Sequence, residues 1–556
     1  MKKERKIYNF GISLFLYYFP LILLILFVLY PLFALILKGF YEDGHFTLSF
    51  YQSVVSTQSF KTSLIHSLEV AFIVSLISVF VAISYSMVLH YSKSKFLKAL
   101  LLLVILISLI SPPFVSSLSY IQLYGRRGLI TNGIFHLSIS PYNVFGIIIM
   151  QVISFAPFNV MFLLGFLKNI KKNTVDASRS LGANDKRIFF DIITPTIRRA
   201  LLSIFVLTFI RSISDYATPI VIGGRYNTIA SDIYLQMVGY SNLNKVSVLN
   251  MSIMIPSFIA FFIYLECTKR ISTDENMSYQ SVSLKSFKVA KIGVLGFLMY
   301  AVTFFVFLAS LLQYLSIFFS SIFKYTKNGY KFTNEYLKKF VSSDFSALGR
   351  SVTYTLIVIL ISLVLSLLVS YYLSRFRSKK GKLTEALILL PYTIAGPTFG
   401  IGYILAFNHR PLYITGTALI VILNMTFKQF PISYRIINDA VRSISYNQDR
   451  NALSLGASRL RVLKDIIIPE MKEGVRSLFV YNFSTSMTTA GSIIFLITPR
   501  SQLLVFSLFD AVYVGDYGRA SVIASSIILI VGIVELLFLL LLKSGKRSRR
   551  SYVFNA

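Results

Sequence analysis

Apolar runs of about 20 residues follow one another along this chain with short polar loops between them, and that spacing limits what it can fold into. In hydrocarbon every backbone N–H and C=O must find a partner within the protein, so continuous runs of this length form helices. Six runs lie in the first half, near 10–38, 63–90, 98–122, 143–168, 198–222 and 246–268. Six more lie near 291–322, 350–374, 384–407, 413–437, 474–498 and 519–543. The expected fold is an all-α membrane protein of about twelve transmembrane helices in two six-helix halves, 1–270 and 291–556, joined by a polar, Ser-rich linker at 271–290. An even number of spans per half makes the two halves parallel, related by an axis along the membrane normal.

Charge then orients the chain. The 55 Lys and Arg residues against 23 Asp and Glu give a formal net charge of +32, and the mean hydropathy is +0.69. In a soluble protein this balance would suggest nucleic acid. Here the basic residues fall in short loops between apolar runs, the signature of cytoplasmic loops. Lys93–Lys98, Lys168–Arg199, Lys269–Lys291, Arg375–Lys382, Arg442–Arg476 and the tail Lys543–Arg550 all fall on one side if the N-terminus is cytoplasmic. Arg126-Arg127 falls on the other, and two residues do not overturn the balance. Both termini are thus expected in the cytoplasm, with the lipid bilayer, not nucleic acid, as the surrounding partner. The first run is too long, and lacks the small-residue site, for a cleaved signal peptide. Cys267 is the single cysteine, which excludes an internal disulfide and a cysteine metal cluster.

One polar segment occurs twice. Asn173–Pro195 and Asn447–Pro469 share Ser-Leu-Gly-Ala, an Arg five residues after the Gly and Asp-Ile-Ile before the Pro. Gly182 recurs as Gly456, an offset of 274 residues, and Pro195 recurs as Pro469 at the same offset. Asn173 and Asn447 are placed to cap a short helix, with Asp176 and Asp449 in its first turn. Gly182 and Gly456 suit a left-handed turn that ends it, and a second helix leads to the proline. Each loop therefore reads as helix, glycine turn and helix. Small residues (Ala177, Ser178, Ser180; Asn451, Ala452, Ser454) and Leu181 or Leu455 form a face suited to another protein's groove.

This loop resembles the Glu-Ala-Ala motif in permease subunits of binding-protein-dependent ABC importers. Asp176-Ala177-Ser178 with Gly182 matches it conservatively; Arg450-Asn451-Ala452 with Gly456 departs further. Ser214-Asp215-Tyr216-Ala217-Thr218-Pro219, Leu390-Pro391 through Gly396, Gly400, Gly402 and Tyr403, and Gly515-Asp516-Tyr517-Gly518 look like the fused two-half permeases of ferric-iron importers. The resemblance implies a type I, MetI-like permease fold in the inner membrane. It implies docking of two copies of a cytoplasmic ABC ATPase on Asp176, Ala177, Ser178, Leu181, Gly182 and Pro195, and on Arg450, Asn451, Ala452, Leu455, Gly456 and Pro469. An extracytoplasmic solute-binding protein would deliver ferric iron; thiamine, phosphonate or polyamine are the alternatives within the class.

Other features bear on chemistry. No Gly-x4-Gly-Lys-[Ser/Thr] occurs, so ATP and Mg are expected to be used by the partner ATPase, with no cofactor or metal bound by this chain and no catalysis by it. Ionisable residues inside spans are costly and often functional. Asp215, with Tyr216, is a candidate for the translocation path, against a reading in which Asp215 pairs with a neighbouring loop. Gly396 and Gly400 are candidates for the same path, through a broken helix, against one in which they serve close helix packing. Glu69, His66 and His90 read as interfacial, and Glu535 as satisfying a neighbouring helix. An ion-driven secondary transporter also uses parallel six-span halves, and a lipid-linked transferase would need a catalytic cluster in one large loop, which is absent from the sequence.

Overall fold

The computed structural model describes residues 18–42, 45–126, 128–136, 140–168, 170, 172–272, 287, 289–326, 329–375 and 381–552. The start of the first apolar run, most of the linker and Arg127 lie outside them. Each of the twelve expected runs corresponds to helical structure, but they are not twelve equal spans. Eight helices are long and apolar enough to cross a membrane among the described residues: Tyr18–Phe40, Gln58–Tyr91, Val144–Leu167, Asp185–Ile213, Leu243–Cys267, Val294–Ile322, Glu335–Arg375 and Tyr517–Phe538. Two further runs are broken pairs, Lys95–Leu109 with Pro113–Tyr124 at 111° and Thr384–Thr393 with Gly396–Phe407 at 112°, so the count is ten if each pair is one crossing. The runs expected at 413–437 and 474–498 are also helical but fall outside that count. Ala418–Arg442 carries Lys428, Arg435 and Asp439 among its apolar residues, and Lys472–Thr488 is only 17 residues long.

The breaks have local causes. Pro113 and Pro397 each stand in the first turn of the helix after the break, where a missing N–H costs nothing. The residues that begin those helices, Pro112 (ψ 150°) and Ala395 (ψ 143°), are extended, which turns the chain sharply.

The chain forms two compact units that do not coincide with the halves of the sequence. One unit comprises residues 42–337 and 511–525. In it Val294–Ile322 packs on Gln58–Tyr91 and on Pro113–Tyr124. The other comprises the chain up to Tyr41, 338–510 and the residues from 526 onward. In it Tyr18–Phe40 packs on Gly396–Phe407. The first apolar helix of each half is thus built into the unit made mostly from the other half. A short antiparallel hairpin follows each of those two helices. In the second, Phe323–Thr326 pairs with Gly329–Phe332, and Phe323 stacks on Phe319 at 4.5 Å.

A proline seats the Tyr18–Phe40 helix. Pro31 has no N–H to return to the carbonyl of Phe27, four residues earlier. The Tyr403 hydroxyl donates to that carbonyl at 2.7 Å. The neighbouring glycine makes the approach possible, because a Cβ on Gly402 would lie 2.8 Å from Pro31 O. Around this bond Phe27 stacks on Phe427 (5.1 Å) and meets Phe407 (5.5 Å). Tyr403→Phe leaves the Phe27 carbonyl one partner short, a loss of about 1–3 kcal/mol. Gly402→Val, which pushes the helices apart, is expected to lower the thermal midpoint of the detergent-purified protein further than Tyr403→Phe does. Equal midpoints for Gly402→Val and the wild type would show that the close approach is not needed.

Candidate functional site

The two repeated segments fold alike. The first helix spans Lys172–Ser180 and the second Tyr446–Ser454. Each ends in a glycine with positive φ, +85° at Gly182 and +88° at Gly456. The turn is the same hydrogen-bonded motif in both. Gly182 N–H donates to Arg179 O (2.8 Å) and Ala183 N–H to Ser178 O (3.0 Å). Gly456 N–H donates to Leu453 O (3.1 Å) and Ala457 N–H to Ala452 O (3.0 Å). This pair of bonds satisfies two carbonyls that a helix end leaves free, and it requires a left-handed residue at the glycine. Asn184 and Ser458 then cap the next turn, accepting from the N–H of Arg187 and Arg461. A wider π turn follows in both, at Phe189–Ile193 and Leu463–Ile467, and Pro195 and Pro469 stand in the first turn of the helix after it.

The starts of the helices differ from expectation. Asn447 is not the cap: Ser445 is, its side chain accepting from Asn447 N–H. Asn173 lies inside its helix, and Asp176, a full turn in, is not in the first turn, whereas Asp449 is. The offset explains this, since Asp176 corresponds to Arg450 and Asp449 corresponds to Val175.

Leu181 and Leu455 project from the turns and are each 89% exposed. Ala177, Gly182 and Pro195 are exposed in the first copy, with Asp176 and Ser178 half-buried. Arg450, Asn451, Gly456 and Pro469 are exposed in the second, with Ala452 half-buried. A leucine left this bare beside small residues and a rigid turn is an apolar knob with room around it.

The undersides of the two loops are held differently. Val175 is fully buried in an apolar cluster that includes Tyr91, Ile188 and Phe287. At the corresponding position Asp449 is buried and pairs with Arg375, Nε to Oδ2 at 2.7 Å. Burial pushes the Asp449 carboxyl up, and the Arg375 guanidinium opposes that shift. In the first loop the ion pair lies elsewhere, between Arg179 and Asp185.

Behind each loop the helices are joined by buried hydrogen bonds in matching places. In the first unit Ser212 Oγ donates to Gln151 Oε1 (2.6 Å), and Gln151 Nε2 donates to Asp215 Oδ2 (2.9 Å). In the second Ser486 Oγ donates to Gln429 Oε1 (3.1 Å), and Gln429 Nε2 donates to Thr489 Oγ1 (3.3 Å). Ser486 and Thr489 follow Ser212 and Asp215 at the 274-residue offset. A further rung pairs Asn159 with Thr208 (3.0 Å) and Ser433 with Asn482 (2.9 Å).

Asp215 is thus tied into the protein on both oxygens. Its Oδ1 accepts from the N–H of Ala217 (3.0 Å) and Thr218 (3.3 Å), which begin the short helix Ala217–Ile222. The expected continuous run over 198–222 is broken here, and Asp215 satisfies the N–H groups that the break exposes. Tyr216 is buried, stacked on Tyr234 at 5.8 Å. Gly396 and Gly400 lie against a turn: an added Cβ would stand 2.9 Å from Gly491 C and 2.4 Å from Ser492 O. The span is broken before Gly396, and the helix that follows packs backbone to backbone on this turn. His66 stacks on Tyr226 (3.8 Å), whose hydroxyl reaches Glu69 (3.4 Å).

Lys428 was missed by sequence reasoning. Its Nζ donates to the carbonyls of Pro391 (2.6 Å) and Ile394, at the broken end of the Thr384–Thr393 helix. An amine donor there satisfies carbonyls that the end of the helix leaves free. The signal was present, as a lysine inside an apolar run. Gln151 and Gln429 carried a similar signal. Arg375 carried none, because it looked like one more basic loop residue.

Repeated cytoplasmic-type loops on a duplicated bundle with broken spans define the membrane component of a transport system. Residues 76–273 and 374–547 match the family described as binding-protein-dependent transport system inner membrane component, and the chain belongs to it. The permease fold expected from the sequence, present twice, is therefore established, in a multi-pass inner-membrane protein. Among similar proteins is a ferric transport system permease protein of Actinobacillus pleuropneumoniae, 28% identical over 93% of this chain and 76% of the relative. A putative ferric transport system permease protein of Haemophilus influenzae is also 28% identical, over 87% and 78%. A sulfate transport system permease protein of Salmonella typhimurium is 25% identical over 30% of this chain and 64% of its own length.

Two outcomes test these geometries. No atom lies within 4 Å of a Cβ added at Gly182 or Gly456, so only the backbone conformation resists substitution. A β-branched residue there costs about 1–2 kcal/mol of turn stability. Gly182→Val with Gly456→Val is expected to abolish uptake at normal membrane level on immunoblots, while Gly→Asn, which tolerates this conformation, retains part of it. Asp215→Asn keeps an oxygen for the two backbone donors and should lower uptake no more than about threefold, whereas Asp215→Ala loses a cap worth about 1 kcal/mol. Complete loss in an Asp215→Asn protein that still assembles would assign Asp215 a direct part in passage.

Proposed function

We propose that this chain is the fused membrane permease of an ATP-driven importer of ferric iron, loaded from an extracytoplasmic binding protein. The carrying observation is the pair of loops, each a helix closed by the same glycine turn with a bare leucine at its tip. Two such knobs suit two copies of one cytoplasmic ATPase, each receiving Leu181 or Leu455 with the neighbouring small residues. Asp176, Ala177, Ser178, Gly182 and Pro195 build the first docking face; Arg450, Asn451, Ala452, Gly456 and Pro469 build the second. The excess of Lys and Arg in the loops on this side supports placing both loops, and both termini, in the cytoplasm.

Work flows through the loops in this reading. ATP closes the two ATPase copies, which draws the loops together, and the helices joined by the Gln151 and Gln429 networks carry the movement into the bilayer. The binding protein opens on the outer face and gives up its ion. Hydrolysis resets the system. ATP and Mg belong to the ATPase, and this chain supplies the path and performs no covalent chemistry. A break leaves polar backbone beside a span, which supports a part in passage for Asp215 and Tyr216 in one unit and for Gly396 and Gly400 in the other. The two relatives named for ferric transport, similar over most of the chain, support iron as the ion carried.

The test is uptake of radiolabelled ferric iron by cells lacking the chain, with the wild type or the Gly182→Val, Gly456→Val double variant restored. Iron uptake restored by the wild type alone is the expected result. Uptake that persists without ATP, driven by an ion gradient, would overturn the ATP-coupled reading. Restoration of thiamine, phosphonate or polyamine uptake in place of iron would change the substrate and leave the class.

A further inference from the structure

Arg375 is the last residue of the long helix Glu335–Arg375, and its guanidinium joins three elements. Besides the ion pair with Asp449, it donates to Ile444 O (3.0 Å) and Val441 O (3.4 Å), at the end of the helix Ala418–Arg442. It also lies 5.7 Å from the Tyr446 ring. The two charged side chains are nearly closed off from solvent, at 8% and 3% exposure. Asp449 stands in the first turn of the loop helix, where its charge also favours the helix dipole. The corresponding slot in the first loop holds Val175 in an apolar cluster, so the fold has a charge-free solution for the same place.

A buried ion pair is a poor source of stability, because removing two charges from water costs about as much as their attraction returns. What it supplies is direction. Apolar packing lets a helix slide or rotate at little cost, while a guanidinium that faces a carboxylate as an ion pair and donates to two carbonyls is confined to a narrow range of orientations.

We propose that Arg375 is a positioning residue that locks the second loop helix to the ends of Glu335–Arg375 and Ala418–Arg442, so that the second loop drives the bundle rigidly through a charged slot that in the first loop holds Val175. The two docking loops are then alike in surface and unequal in attachment. This rests on the reading of the loops as ATPase docking sites.

The experiment uses the full chain with its ATPase and binding protein in proteoliposomes, and compares Arg375→Met, Asp449→Val, the two combined, and Gly456→Val. Two quantities are read: ATP hydrolysed per ferric ion taken up, and the mobility of a spin label at Gln448→Cys, exposed on the loop helix, in a Cys267→Ser background, which needs no transported ion. Each single variant leaves one charge buried alone and is expected to raise ATP per ion about tenfold. The combined variant rebuilds the first loop's apolar solution. It should recover wild-type amounts of folded complex but keep the raised ratio, with the label's rotation about threefold faster than in the wild type. A combined variant that couples like the wild type with an unchanged label would reduce the pair to a core filler and overturn the proposal. Normal coupling in Gly456→Val would instead remove the docking reading itself. Should the single variants fail to fold, the charge-free combination still decides the question.

Discussion

No water reaches a backbone carbonyl inside a bilayer, so each interruption of a helix must bring its own hydrogen-bond partner. This constraint organises the chain. Where Pro31 withholds an N–H, the Tyr403 hydroxyl serves the Phe27 carbonyl. Where the Thr384–Thr393 helix stops, Lys428 serves Pro391 and Ile394. Where the helix after Pro195 ends at Ile213, Asp215 serves the N–H groups of the next helix. Lys428 and Asp215, ionisable residues in apolar runs, thus have structural partners at the breaks.

The duplication is unequal in detail. Both units place a glutamine between two neighbouring helices, with serine partners at the repeat offset, yet Asp215 in one is Thr489 in the other. Lys428 adjoins Gln429 in one unit, and Met150 adjoins Gln151 in the other. Val175 becomes Asp449. Each exchange keeps the shape of the element and changes how it is fastened, which is the freedom a tandem copy has when its backbone must stay the same.

Reading the chain went furthest where the physics is local. The glycine turns were legible because a left-handed residue after a short polar helix has few alternatives to glycine, and both copies adopt the same two bonds. The helix starts were less legible. Ser445 caps in place of Asn447, since several residues at a helix start are able to cap and the backbone path selects among them. The bends were not legible because hydropathy does not sense a break: Pro113 and Pro397 leave a run equally apolar whether it is straight or turned through 111° or 112°.

The sequence by itself determined an all-helical membrane chain, its duplication and the form of the two loops, because apolar length, residue-type turn chemistry and a fixed repeat offset act along the chain. Only the tertiary structure decided that the first helix of each half is built into the unit made mostly from the other, that Gly402 marks a backbone-to-backbone contact, and that Arg375 is a buried clasp. Those facts depend on which surfaces meet, and a residue's partner across 376 or 74 positions leaves no trace in its own neighbourhood of the chain.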